Sequence, residues 1–226
     1  METRDVSVGG VLKETAEVLR RHEVTYMKAG LPWLAVGVAT LTAAEYALDQ
    51  GPLAWLAAGF VLAALGMWLM SALPWIIAGT AAAEVEGKPA SAAGRRAAYK
   101  VAAQVGAMNL LAWVAGGLPA VAAQAYFGAA GPAAGLGSGD AMAARQAARR
   151  AQSGRFLTVM GAMTAAHAVF AVFGCAMLAV MIPGLDVGLP DWAFVGGIAL
   201  IYLMYSAVMA AVQHGLLRAL EAARRA

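Results

Sequence analysis

The stretch that decides the fold is residues 101–137, VAAQVGAMNLLAWVAGGLPAVAAQAYFGAAGPAAGLG, which runs for 37 residues without one charged side chain. A helix needs about 20 apolar residues to cross a hydrocarbon core roughly 30 Å thick. The run is therefore too long for one straight span and long enough for two short ones. Near its middle stands Gly116-Gly117-Leu118-Pro119, where the glycines are free to turn and the proline cannot continue a hydrogen-bonded helix from the residues before it. The segment reads as a helical hairpin with arms over 101–117 and 119–137.

Working outward, further apolar runs lie at 29–48, 52–83, 156–182 and 192–217. All 16 basic residues fall into four clusters: Arg4, Lys13, Arg20, Arg21 and Lys28; Lys88, Arg95, Arg96 and Lys100; Arg145, Arg149, Arg150 and Arg155; Arg218, Arg224 and Arg225. The link at Asp49-Gln50-Gly51-Pro52 and the link over 183–191 hold no basic residue. If basic loops stay cytoplasmic, an even number of spans separates each cluster from the next. Six spans follow, with both termini cytoplasmic and Gly116 to Pro119 as the middle outer turn.

Composition agrees with an all-α, polytopic transmembrane bundle. Of 226 residues, 62% are hydrophobic and 13% charged, with a mean hydropathy of +0.68, whereas a soluble domain carries about 25% charged residues. The 26 glycines and many alanines allow close approach of helix backbones. The one cysteine, Cys175, lies in an apolar run and reads as packing. The first thirty residues are charged and amphipathic, so they do not resemble a cleaved leader. The formal net charge of +3 sits in the loops, where anionic lipid headgroups are the natural counter-charge. Nucleic acid binding is not expected, because basic patches interleaved with aromatics on a soluble scaffold are missing.

Tryptophans mark the interfaces. Trp55 and Trp75 are twenty positions apart, about 30 Å of helix, and can reach both headgroup regions. Pro32 suits a first helical turn, Pro74 is expected to kink the second span near its cytoplasmic end, and Pro132 interrupts the hairpin. In residues 1–28, Val8, Val11, Leu12, Thr15, Leu19 and His22 share one helical face, opposite Lys13, Glu14, Glu17, Arg20 and Arg21. That is the pattern of a helix lying on the cytoplasmic surface. Segments 91–100 and 138–155 repeat the theme, each opening on a serine suited to capping and carrying an Arg-Arg pair.

Ionisable and amide side chains inside a membrane are costly and so are the first candidates for function. Glu45 is the single carboxylate within an expected span, close enough to Asp49 to snorkel outward. His167 stands about a dozen residues into the fifth span and calls for a partner on another helix, whether as packing group, proton carrier or ligand contact. His214 and Gln213 precede Arg218 by one turn, at headgroup level. Asn109, Gln104 and Gln124 lie in the charge-free hairpin, where interhelical hydrogen bonding is the default. Arg20, Arg21, Arg95, Arg96, Arg149 and Arg150 are candidates for lipid headgroups. Gly131, Gly135 and Gly139 form a small-residue ladder leading into a glycine-rich link, which reads as a flexible connection before a phosphate cradle. No catalytic set, cofactor motif or metal-ligand spacing is visible; His22, His167 and His214 are unrelated in spacing.

Val6-Ser7-Val8-Gly9-Gly10-Val11-Leu12 through Arg20-Arg21 into Leu31-Pro32-Trp33, then Gly87-Lys88-Pro89-Ala90-Ser91 leading to Arg95-Arg96 and a hairpin, resembles the prokaryotic six-helix membrane domain associated with glycerophosphodiester phosphodiesterases and its stand-alone uncharacterised relatives. The resemblance of layout covers nearly the whole chain. It implies the membrane domain alone and carries over no catalytic residue.

Together these readings predict a non-enzymatic, multi-pass bacterial inner-membrane protein that organises or assists a membrane complex or supports envelope integrity, in contact with a membrane protein partner or its own copies. A transporter or channel component is the alternative, and a membrane-embedded lipid enzyme stands third.

Overall fold

In a computed structural model, which describes residues 6–115, 117–137, 140–186 and 191–225, every regular element is a helix. They are α1 (Val8–Asp49), α2 (Leu53–Val85), α3 (Ala92–Val114), α4 (Gly117–Phe127), α5 (Ala130–Leu136), α6 (Ala141–Gln152), α7 (Phe156–Asp186) and α8 (Asp191–Arg225). Four of them, α1, α2, α7 and α8, are long and apolar enough to cross a membrane.

Ser7 opens α1 by accepting from the Gly10 amide at 3.0 Å. The helix has 42 residues, about 63 Å at the standard rise, and departs from helical geometry at His22 (φ −129°, ψ 18°). The expected boundary near residue 28 is thus moved back, and the helix runs unbroken from Glu23 through Lys28 into the first apolar run. Ahead of His22, Val11 and Thr15 of the apolar face expected on the membrane surface are buried inside the bundle, with Val18 beside them, and Val8, Leu12, Leu19 and His22 are half-buried. Gly215 of α8 lets this segment close in, since a Cβ there would meet the Thr15 hydroxyl and backbone, and Val8 packs on Gly161 of α7. Beyond the bend α1 turns antiparallel to α2, with Gly37 under Met70, Leu41 over Gly66 and Leu48 over Gly59.

The inner half of α2 is the centre of the molecule. Leu73, Trp75, Ile77, Ala78 and Ala82 are essentially inaccessible, whereas Leu53, Phe60 and Val61 of its outer half are exposed. Small residues make the inner contacts: Gly79 against Ala98 of α3, Ala72 against Gly106 of α3, and Gly135 of α5 against the Gly79 carbonyl. Gly131 and Gly135 of the ladder serve helix packing; α5 ends at Leu136, and Ser138 and Gly139 of the glycine-rich link lie outside the described residues.

The expected hairpin forms, with differences. α3 and the α4–α5 arm run antiparallel, as the Asn109–Gln124 bond and the Gly94–Gly135 contact require. Pro119 falls in the first turn of α4; Gly116 lies outside the described residues. The return arm, expected as one helix over 119–137, is broken at Gly128 (φ +39°) and not at Pro132, which sits harmlessly in the first turn of α5. The break strips the Ala125 carbonyl and the Ala129 amide of helical partners. Gln152 of α6 takes both: with the amide oriented by this network, its nitrogen donates to Ala125 and its oxygen accepts from Ala129, each at 3.2 Å. α6 itself starts from Asp140, which accepts from the Met142 amide at 2.9 Å, and not from Ser138, which lies outside the described residues. The two Arg-Arg segments also differ, since Arg95 and Arg96 lie inside α3 while Arg149 and Arg150 end a separate α6.

Cross-links gather the described basic clusters at one end of the bundle. Thr25 donates to Glu84 at 2.7 Å, Arg218 donates to the Val85 carbonyl at 3.0 Å, and the start of α3 packs on the end of α5.

Candidate intramembrane polar site

Pro74 supplies no amide proton, so the Met70 carbonyl four residues earlier loses its helical partner. In lipid such a group must be satisfied by the protein. The Tyr202 hydroxyl of α8 donates to it at 2.7 Å. One residue on, Ser71 accepts from the Asn109 amide of α3 at 3.1 Å, and Asn109 in turn accepts from Gln124 of α4 at 3.2 Å. All three side chains are buried. Gln124 also stands beside the Tyr205 hydroxyl of α8.

Tyr205 leads to His167 of α7. The His167 Nδ1 lies 2.7 Å from the Met163 carbonyl, which can only accept, so Nδ1 carries the proton. In the neutral ring Nε2 is then an acceptor, and it receives the Tyr205 hydroxyl at 2.8 Å. The partner expected for His167 on another helix is thus Tyr205. Ser71, Asn109, Gln124, Tyr205 and His167 form a line of polar groups contributed by five helices.

Beside this line is a cavity of about 550 Å³, walled by Ser71, Asn109, His167, Phe170, Tyr202 and Tyr205, with Met67, Met70 and Pro74 on its α2 side. Phe170 and Tyr202 each pack on Tyr205, with ring centroids 5.0 Å and 5.7 Å apart. Among the described residues, no Asp, Glu, Lys or Arg lines the cavity. Met67 is half-exposed on the outer surface of the bundle, so the cavity opens sideways.

The other candidates lie elsewhere. Glu45 is exposed and borders a separate hollow between α1 and α8, in line with a carboxylate reaching outward. Gln104 is exposed. His214 is fully buried at the basic end, its ring nitrogens 3.0 Å from the Ala78 carbonyl and 3.3 Å from Glu86. Arg218 grips the same Glu86 carboxylate at 3.1 Å, and Tyr26 of α1 packs on the His214 ring. Burial alone would push the Glu86 carboxyl up, but the His214 hydrogen bond and the charge and hydrogen bond of Arg218 outweigh it, holding Glu86 below the usual carboxylate range. Arg20, Arg21, Arg95, Arg96, Arg149 and Arg150 are all exposed. Arg21 pairs with Glu17 along its own helix, and Arg149 lies 4.5 Å over the Tyr126 ring.

Sequence reasoning found Asn109, Gln124 and His167 but missed their partners Ser71 and Tyr205, and it missed Tyr202, which satisfies the Met70 carbonyl. The signals were available: a Tyr-x-x-Tyr pair puts two hydroxyls on one face of an apolar helix, and Pro74 exposes a carbonyl four residues back. No family model, curated protein or solved structure matches this chain.

Proposed function

We propose that the chain is a non-enzymatic six-span protein of the bacterial inner membrane, with both termini cytoplasmic, which organises or assists a membrane complex or supports envelope integrity. The observation that supports this most is the basic end of the bundle. Its exposed arginines are carried on α1, α3 and α6, and among the described residues Arg21 alone of the six candidates has an ion pair. Such a platform is left to attract anionic headgroups, each basic side chain contributing about 1 kcal/mol near the surface. The α3 and α4–α5 hairpin supplies the third and fourth spans in this reading, and the resemblance in layout to a stand-alone membrane domain points the same way. Purification from native membrane in mild detergent tests it: a stoichiometric partner and an envelope defect on deletion are expected. A chain that comes away alone, with no such defect, overturns the reading.

One observation favours a second reading, a transporter or channel component: the laterally open cavity beside Pro74 and His167, since transporters build their sites at interrupted helices. Solute flux into proteoliposomes that is lost in His167→Ala would establish it.

A further inference from the structure

We propose that the cavity between α2, α3, α7 and α8 binds the ring of an uncharged, lipid-soluble quinol. Its volume of about 550 Å³ falls in the range of small-molecule sites, about 300–1,000 Å³. Bare acyl chains would fill a hollow lined by alkyl groups alone, but this wall joins Phe170, Tyr202, Tyr205, Met67 and Met70 to the alkyl Leu41, Pro74, Leu110 and Ala171. Flat rings pack well on such surfaces. The absence of a charged side chain among the described lining residues selects against ions and charged solutes, whose desolvation none of these residues would offset.

Hydrogen-bonding capacity narrows the class further. The Tyr202 proton is committed to the Met70 carbonyl and the Tyr205 proton to His167. Each phenol oxygen already has one donor beside it, Ser206 for Tyr202 and Gln124 for Tyr205, and keeps its second lone pair for an incoming donor. Ser71 accepts from Asn109 and its own hydroxyl proton remains to be donated. A ring bearing hydroxyl donors meets two phenol acceptors and one serine donor, whereas a quinone with acceptors alone meets fewer partners. The lateral opening past Met67 admits a molecule whose apolar tail stays in the bilayer.

The test uses the full chain in lipid nanodiscs, under anaerobic conditions, with decylubiquinol as probe and native mass spectrometry plus equilibrium binding as readouts. Saturable one-to-one binding is expected. The oxidised decylubiquinone should bind several-fold more weakly, and 4-decylbenzoate, with tail and ring but a charge, at least tenfold more weakly. Tyr205→Phe should weaken quinol binding about five- to tenfold, the loss of one hydrogen bond, and Ala171→Phe should fill the cavity and abolish it. Thermal unfolding of each unliganded variant shows whether it folds; should Ala171→Phe not fold, Tyr205→Phe decides. A phospholipid adduct that quinol does not displace, equal binding of 4-decylbenzoate, or quinol binding unchanged in Tyr205→Phe would each overturn the proposal.

Discussion

Tyr202 and Pro74 are bound to each other through an atom that belongs to neither. The Met70 carbonyl is orphaned by the proline and rescued by the phenol at 2.7 Å, so the two side chains must be coupled. Tyr202→Phe is expected to lower stability by about 1–2 kcal/mol, the cost of a buried acceptor left unmade. In a Pro74→Ala background, where the amide of residue 74 can take the carbonyl back, the same substitution should be close to neutral. Thermal unfolding in detergent of the two single variants and the double variant measures that coupling directly. At the basic end, Glu86 gives a pH dependence whose sign is fixed. Its folded carboxyl titrates below the ordinary value of 4.5, so the native state prefers the ionised form. The stability from His214 and Arg218 is present above that value and is lost as pH falls through the depressed folded one. Unfolding temperature should hold above about pH 5 and drop below pH 4.5, and Glu86→Gln should flatten that drop.

At the scale of elements, the break between α4 and α5 is the feature least visible beforehand. Gly128 and Gly154 both have positive φ, but a Cβ at Gly154 meets nothing, whereas one at Gly128 would run into the Gln152 amide that bridges the break. Gly154→Ala should therefore cost only the left-handed backbone penalty, about 1–2 kcal/mol, and Gly128→Ala clearly more. Comparing the two unfolding midpoints checks this, and a Gly128→Ala no worse than Gly154→Ala would mean that Gln152 does not hold the break. The sequence could not locate it because 120–137 offers several glycines and one proline among alanines, and no local preference separates Gly128 from Gly131. What separates them is tertiary: Gly131 is needed for packing near Trp75 and Gln213, while Gly128 faces a side chain from α6. By contrast the hairpin was legible, since an uncharged run of such length admits few solutions in lipid. The apolar period of the segment before His22 was legible too, but not what it meets: Val11 and Thr15 are buried against α8, where the sequence suggested the membrane surface. The tyrosine partners were not legible, since an isolated phenol in an apolar run signals a hydrogen bond without saying to what.

Over the whole molecule, burial and charge define one axis. Inner α2 is surrounded, while its outer half packs on α1 through Gly59 and Gly66 and is exposed at Leu53, Phe60 and Val61. At the basic end α1, α2 and α8 are tied by Thr25–Glu84, Arg218–Glu86 and the approach at Gly215. If the hairpin of α3 and α4–α5 crosses the bilayer fully, Arg96 and Gly117 stand on opposite sides; if it dips in and returns, they share one. Those two outcomes separate six spans from four without altering any contact inside the bundle. With Cys175→Ser as background, single cysteines at Glu14, Arg96, Gln50 and Gly117 can be probed by a membrane-impermeant maleimide added to intact cells. The expected result is labelling of the Gln50 and Gly117 positions from outside, and of the Glu14 and Arg96 positions only after the membrane is permeabilised. Labelling at Gly117 that requires permeabilisation would reduce the hairpin to a re-entrant segment, and α1, α2, α7 and α8 would then be the whole set of spans.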